Sequence, residues 1–210
     1  MAGSYDFEEQ ERIASIQHWW EDNAKFVYAA VAAFILSIGG WKGWQYWSAT
    51  QTADAAAMSA ELLRARGDAK KSADLASALI DKHPGTFFAS EAALISAQDA
   101  FGAGNLALAQ SRLEWVMANG RDEHKGLARL RLAAVLLDLK KPAEALQVLD
   151  GNKEPAWDAL VADLRGDIHF SQGRTDEARA AYKLAIEKSD PRSPMRSFTE
   201  LKLGALGGAQ

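Results

Sequence analysis

The residue types that carry catalysis or bind metal ions are sparse in this chain. It has no cysteine, which excludes a thiolate nucleophile, a disulfide and a cysteine-ligated metal. Asp163 and Asp167 stand one helical turn apart, and two carboxylates alone on a helix usually form a solvated face. No histidine stands in a metal-binding spacing such as H-E-x-x-H; the four are His18, His83, His124 and His169.

Other signatures of chemistry are missing as well. Gly102 and Gly104 are close together, yet no strand precedes them and no phosphate-loop lysine follows. Residues 48–210 carry 21 basic and 22 acidic side chains without a basic patch, which disfavours nucleic acid as a partner. We therefore expect no enzymatic activity, no metal and no cofactor; an enzyme would require a hidden metal site.

The first element that could position functional residues is an apolar segment at residues 26–47, FVYAAVAAFILSIGGWKGWQYW, whose single charged residue is Lys42. At about 1.5 Å per helical residue it spans about 33 Å, the thickness of one hydrocarbon core. Indole rings favour the headgroup layer of a membrane. We predict a transmembrane helix whose interface anchors are Trp19, Trp20, Trp41, Trp44 and Trp47.

Two alternatives to a transmembrane helix remain open. A cleaved signal peptide would begin with a basic region and end at small residues. Here the first 25 residues carry six acidic and two basic side chains, and bulky Trp and Tyr follow the apolar run. The second alternative is a buried helix of a soluble protein, because the strictly apolar part, residues 26–41, is near the lower length limit for a span.

The charges beside the segment predict its orientation. Arg12, Lys25 and the N-terminal amine precede it, whereas no Lys or Arg follows Lys42 until Arg64. Positive charge stays preferentially in the cytoplasm. We expect the acidic arm, residues 1–25, to be cytoplasmic and residues 48–210 to lie across the membrane.

Residues 48–210 have the pattern of a helical repeat. Apolar residues recur at spacings of three and four, and Gly or Pro breaks separate pieces of helical length. The clearest unit, residues 162–191, resembles the tetratricopeptide repeat. Its Gly166 stands where two helices cross closely, Gly173 makes the turn, and Ala178 and Tyr182 begin the stripe of the second helix.

Weaker copies precede this unit. Ala97 and Ala133 match Gly166. The turn and stripe residues of the two copies match Gly173, Ala178 and Tyr182; they are Gly104, Ala109 and Leu113 in one copy, and Lys140, Ala145 and Leu149 in the other. We predict an all-α fold, in which a transmembrane helix precedes a solenoid of tetratricopeptide-like helical hairpins. The predicted repeats cover about residues 52–84, 90–120, 126–155 and 159–191, with a capping helix at 193–206.

Function in such arrays resides on the concave face, lined by residues of the first helix of each hairpin that packing does not use. A mixture of apolar and polar side chains there suits an extended segment or a helix of another protein. The repeat register predicts a protein-binding groove formed by Glu91, Leu94, Gln98, Phe101, Leu130, Ala134, Leu137, Asp163, Asp167 and Phe170.

A second contact is predicted inside the apolar segment. Gly39 and Gly43 form a G-x-x-x-G motif, which gives a flat ridge where another transmembrane helix can approach. Glycine is also common in transmembrane helices for other reasons, and the motif does not distinguish self-pairing from pairing with another protein.

The order of these features resembles a known family. The most specific parts of the resemblance are W-W-E-D-N-A-K at residues 19–25 and the Trp-rich end of the apolar segment, from Gly40 to Trp47. With the acidic arm and the Ala-rich repeats, they are similar to the YfgM family of Gram-negative bacteria, the ancillary subunit of the SecYEG translocon, along essentially the whole chain. The Gly/Ala tail, residues 204–210, departs from the family pattern.

The resemblance implies a single-pass protein of the bacterial inner membrane with a cytoplasmic N-terminus and periplasmic repeats. The partners that it implies are the SecYEG translocon and a membrane-anchored periplasmic chaperone of the peptidyl-prolyl-isomerase type, with assistance to newly secreted chains. It also implies a link to envelope stress signalling through the cytosolic side.

Three function hypotheses follow. The leading one is a tethered interaction module, which predicts that deleting the span abolishes function although the repeats still fold. The second is a stress regulator that acts through the acidic arm, and it predicts that truncating the arm alone gives the phenotype. The third is a scaffold of another envelope complex, which needs the repeats but no translocon.

Overall fold

A computed structural model describes residues 3–207 of the protein and, before residue 11, the backbone only. Met1 and Ala2 of the predicted arm and Gly208, Ala209 and Gln210 of the Gly/Ala tail lie outside the described residues. The described part is helical and contains no strand. Its helices are α1 Gly3–Arg64, α2 Ala69–Lys82, α3 Phe87–Gly102, α4 Leu106–Asn119, α5 Asp122–Asp138, α6 Pro142–Asp150, α7 Asp158–Ser171, α8 Thr175–Lys188 and α9 Pro194–Ala205.

The chain divides into two compact units. The first unit ends at Thr50, and the second begins at Gln51. The first unit is the N-terminal part of α1, which continues through Gly39, Gly40 and Gly43 without a break. Within the described residues, α1 is the one helix long and apolar enough to cross a membrane, and none of its apolar window is buried in the protein. A helix buried in the core of a soluble domain would have that window covered.

The second unit is a series of helices that contact their neighbours in sequence, with additional contacts between α3 and α5 and between α5 and α7. Side-chain caps begin three of these helices: Asp68, Thr86 and Asn105 accept hydrogen bonds from the backbone N–H groups of Lys71, Ala89 and Leu108. The predicted all-α fold with helical hairpins is confirmed.

The repeat alignment is also confirmed by backbone angles and burial. The three aligned turn residues Gly104, Lys140 and Gly173 all adopt positive φ, at 75°, 62° and 73°, the left-handed region that glycine favours. The aligned crossing and stripe residues are all buried, and they are Ala97, Ala109, Leu113, Ala133, Ala145, Leu149, Gly166, Ala178 and Tyr182.

Two helix approaches are so close that only glycine fits. A Cβ atom on Gly166 would lie 2.3 Å from Cε1 of Tyr182, which confirms the predicted close crossing of α7 and α8. A Cβ atom on Gly126 would lie 2.1 Å from Nε1 of Trp157, an approach that the repeat register does not predict. The Trp157 indole donates a hydrogen bond of 3.1 Å to Glu154, which holds the ring in place.

Substituting Gly166 by Ala should destabilise the second unit. Tyr182 is only 2% exposed, so its ring has no free space into which to retreat from the new methyl group. Overpacking of this kind costs about 1–3 kcal/mol. We expect Gly166→Ala to lower the free energy of unfolding by that amount, measured by urea denaturation of the full chain in detergent micelles.

Gly204→Ala is the matched control, because Gly204 also lies in a helix and a Cβ there would meet nothing within 4 Å. Alanine is the better helix former, so this variant should be unchanged or up to about 1 kcal/mol more stable. Wild-type stability in Gly166→Ala would show that the α7–α8 crossing is not tight.

Candidate protein-binding surface

Helix α3 presents part of the predicted groove at the surface. Gln98 and Phe101 are exposed, Phe101 by 44%, and Glu91 is half-buried. Leu94 is different, because it is 5% exposed and belongs to the main hydrophobic core. Leu94 therefore packs the array and does not line a surface that a partner could reach.

Helix α5 presents less of the predicted groove. Leu130 and Leu137 are partly buried and pack against the main core, while the half-buried Ala134 lies beside an opening. That opening is a pocket with a volume of about 270 Å³, which we call the α3–α5 pocket. It is lined by Ala97, Gln98, Phe101, Leu113, Arg131, Ala134 and Val135.

The α3–α5 pocket brings three of the predicted groove residues together, namely Gln98, Phe101 and Ala134. The register argument missed Arg131, whose half-buried side chain supplies the one cationic group among the lining residues. A sequence signal for it existed, because the apolar run of α5 contains two charged residues, Arg129 and Arg131, and each requires a polar environment. The pocket therefore combines hydrocarbon walls with an amide and a guanidinium group.

Helix α7 presents its predicted residues differently. Phe170 is 56% exposed. Asp163 and Asp167 both accept hydrogen bonds from the Lys202 ammonium of α9, at 2.8 and 2.7 Å. Thr199 donates to Asp163 at 2.8 Å, and the Tyr182 hydroxyl donates to Asp167 at 2.7 Å. We call these five polar residues the Lys202 clamp.

The expectation that Asp163 and Asp167 form a solvated face is wrong. Their side chains are only 15% and 32% exposed, and Lys202 of α9 neutralises them. Helix α9 approaches α7 here because carboxylates removed from water require a cation and hydrogen-bond donors. Asp163 and Asp167 thus hold the array together at its C-terminal end, and their oxygens already have partners within the chain.

The Lys202 clamp shifts two pKa values in the same direction. Burial raises the pKa of Tyr182 above its usual range, and its hydrogen bond to Asp167 raises it further. Burial alone would lower the pKa of Lys202, but the hydrogen bonds and charges of Asp163 and Asp167 outweigh burial and raise it. Both groups therefore hold their protons more tightly in the folded chain than in the unfolded one.

No three histidine or carboxylate side chains come together in a ligating group within residues 11–207. His169 is half-buried, and burial, with a further contribution from Arg174, lowers its pKa. His83 pairs with Gln51 at 2.7 Å through its Nδ1 atom. These histidines are packing residues of the second unit.

The residues of the first unit that are predicted to contact the membrane or another helix are all exposed. Nothing lies within 4 Å of a Cβ atom built on Gly39 or Gly43. The five predicted anchor tryptophans are between 42% and 61% exposed. Apolar surface of this extent needs a membrane or a partner to cover it.

The Lys202 clamp should make stability fall at alkaline pH. Below the unfolded-state pKa values of Lys and Tyr, both near 10, the stabilisation is complete. As the pH rises past 10, the unfolded chain loses these protons first, so the free energy of unfolding decreases. The slope is at most about 1.4 kcal/mol per pH unit for each retained proton. Urea denaturation between pH 8 and 11 measures it.

Tyr182→Phe is the control for this pH dependence, since it keeps the ring and removes the titrating hydroxyl. We expect a shallower decrease above pH 10 in this variant. An identical slope in both proteins would show that Tyr182 does not retain its proton in the folded chain.

The chain was compared with known protein families. The tetratricopeptide repeat-like domain family matches residues 17–208, a range that includes the apolar segment as well as the repeats. The match therefore covers the first unit from residue 17 onward, almost all of the second unit and the α3–α5 pocket.

Relatives of similar length give a narrower family. The chain is 31% identical to the ancillary SecYEG translocon subunit of Neisseria gonorrhoeae (strain ATCC 700825 / FA 1090), covering 95% of this chain and 97% of the relative. It is 29% identical to the Escherichia coli (strain K12) protein of the same name, covering 94% and 96%. A third relative with that name, from Aggregatibacter actinomycetemcomitans, is 31% identical over 89% and 92%. The chain belongs to this family of ancillary SecYEG translocon subunits, the YfgM family, which has a tetratricopeptide repeat-like domain.

Proposed function

We propose that the chain is an inner-membrane protein that acts at the Sec translocon as a tethered protein-interaction module. Two findings support the proposal. Relatives that carry the name ancillary SecYEG translocon subunit align with almost the whole chain. The N-terminal helix is long, apolar and uncovered, as an anchor in a membrane requires.

The binding surface of the module is the α3–α5 pocket with its exposed rim residue Phe101. This assignment rests on which of the predicted groove residues remain accessible to a partner. Leu94 lies in the core and Asp163 and Asp167 are occupied by Lys202, whereas Gln98, Phe101 and Ala134 surround an open pocket. Glu91, Leu130 and Leu137 are half-buried and Phe170 is exposed, and none of these four residues lines the pocket.

The ligand is a segment of another protein. A periplasmic membrane-anchored chaperone of the peptidyl-prolyl-isomerase type and the emerging secreted chains are the two candidate sources. An anchored module meets either one at a high effective concentration, so a small contact area is sufficient for binding.

The membrane helix supplies a second contact in this proposal. The ridge of Gly39 and Gly43 packs against a helix of the translocon, where small residues permit close approach. The arm, residues 1–25, lies in the cytoplasm, the span covers residues 26–47, and the repeats work in the periplasm.

A photo-crosslinking amino acid tests the binding surface in cells. Placed at Phe101, it should capture a periplasmic chaperone or secreted chains, and placed at Gly39 it should capture a translocon subunit. Mass spectrometry of the adducts identifies both. Leu184 on α8 is the matched control, because it is apolar and 46% exposed, slightly more than Phe101 at 44%.

Two results would contradict this assignment. Equal capture of the same partners at Phe101 and Leu184 would mean that the α3–α5 pocket has no special role. Capture of partners only by the cytosolic arm would favour the stress regulator over the interaction module.

The orientation can be tested with single cysteines, since the chain has none of its own. Ser15 and Ser111 are both exposed, and they lie on opposite sides of the span in sequence. In spheroplasts, a membrane-impermeant maleimide should label Ser111→Cys at once and Ser15→Cys only after lysis. The reverse pattern would place the repeats in the cytoplasm.

A further inference from the structure

Arg131 is the feature of the α3–α5 pocket that the proposed function leaves unexplained. Its side chain is half-buried and lines the pocket together with Gln98. Among the side chains of residues 11–207, none forms a hydrogen bond, ion pair or ring contact with its guanidinium group. The residues one turn away on α5, Leu127, Ala128, Ala134 and Val135, include no acid that could pair with it.

Two half-buried cations of the second unit pair with acids, whereas Arg129, also half-buried on α5, has no hydrogen-bond or ion-pair partner within residues 11–207 and does not line the pocket. The side chain of Arg165 is 38% exposed and bonds Asp150 at 2.6 Å. The side chain of Lys202 is 36% exposed and bonds both carboxylates of the Lys202 clamp. Removing a charge from water is costly unless an opposite charge compensates it. The unpaired guanidinium at the α3–α5 pocket thus has the chemistry of a site that a carboxylate from outside completes.

The pocket size limits what can accompany that carboxylate. Its volume of about 270 Å³ lies below the roughly 300–1,000 Å³ of sites for drug-sized molecules. A single large side chain is a suitable occupant. Ala97, Leu113 and Val135 form hydrocarbon walls, so an aliphatic or aromatic side chain is favoured there.

The overall charge of the second unit would not by itself select an acidic ligand. Residues 48–210 carry 21 basic and 22 acidic side chains, so no strong long-range field attracts acidic ligands. A preference for acidic ligands over neutral ones must therefore come from Arg131 itself. A guanidinium group binds a carboxylate through two parallel hydrogen bonds, which a lysine cannot reproduce.

We propose that the α3–α5 pocket binds a protein segment in which an Asp or Glu side chain neighbours a large apolar side chain. Arg131 binds the carboxylate, the apolar side chain fills the pocket, and Gln98 hydrogen-bonds the backbone of the segment. This inference rests on the proposed function and specifies its ligand: acidic-apolar segments of the partner chains are selected over purely apolar ones.

A displayed library of random twelve-residue peptides tests the proposal. The full chain in detergent micelles is the bait, and the enrichment of Asp and Glu next to large apolar residues is the readout. Arg131→Gln removes the charge at the pocket. Arg129→Gln is the matched control, because Arg129 is also half-buried on α5 but its Nε atom lies near Gly151 and not in the pocket.

We expect acidic-apolar peptides to be enriched by the wild type and by Arg129→Gln, but not by Arg131→Gln. For one enriched peptide, fluorescence anisotropy should give a dissociation constant about tenfold higher for Arg131→Gln, with Arg131→Lys intermediate. Replacing the peptide's Glu by Gln should weaken wild-type binding by a similar factor and leave the Arg131→Gln affinity unchanged. The Arg131 variants should unfold at the wild-type temperature, since Arg131 has no hydrogen-bond or ion-pair partner within residues 11–207.

The outcomes separate this inference from the proposed function. Enrichment of apolar peptides without an acidic preference, lost in Phe101→Ala but not in Arg131→Gln, would overturn the inference and leave the proposed function standing. Equal acidic enrichment by wild type and Arg131→Gln would also overturn it. A preference only for peptides with a free C-terminal carboxylate would overturn the assignment of an Asp or Glu side chain. Both this inference and the proposed function would be overturned if the library gave no binders. They would also be overturned if Phe101→Ala and Arg131→Gln both retained the wild-type binders.

Discussion

Close approach of paired helices at a small residue is the constraint on which the repeat array depends. Ala97, Ala133 and Gly166 occupy the same place in successive hairpins, and each is buried. At Gly166 the Tyr182 ring lies where a Cβ atom would be. Each helix contacts mainly its neighbours, so these crossings set the position of every helix that follows.

The same small residues that allow packing also create the candidate binding surface. Ala97 and Ala134 leave space between α3 and α5, and larger neighbours such as Phe101 and Leu113 form the rim and walls of that space. A larger side chain at Ala97 would fill the pocket and separate the helices. The need for close packing therefore also determines where a partner's side chain can enter.

Charge has two different roles in the second unit. In the Lys202 clamp, two shielded carboxylates, an ammonium group and two hydroxyls satisfy one another and fix α9 to the array. At the α3–α5 pocket, the Arg131 guanidinium has no such counterpart among the side chains of residues 11–207. A charge shielded from water is more unfavourable without a counterpart than with one, so an external carboxylate gains affinity at Arg131 that it could not gain at Lys202, whose counterparts are already in place.

The sequence by itself determined the fold class, the apolar segment, the repeat register and the family. Local patterns carry each of these: helical periodicity, Gly at turns, small residues at crossings, and Trp beside the apolar run. The structure adds that Lys140, aligned with Gly104 and Gly173, shares their left-handed backbone. The register also identified Gln98, Phe101 and Ala134, because residues on one helical face recur predictably.

Only the tertiary structure decided which groove residues remain open. Leu94 fits the register of a surface residue but lies in the core, and Asp163 and Asp167 pair with Lys202, which is 39 and 35 residues away in sequence. Trp157 against Gly126 is a similar case. Periodicity along one helix assigns a residue to a face, but it does not reveal which distant helix covers that face. Burial and pairing depend on the neighbouring helices, and these are defined only when the whole array is packed.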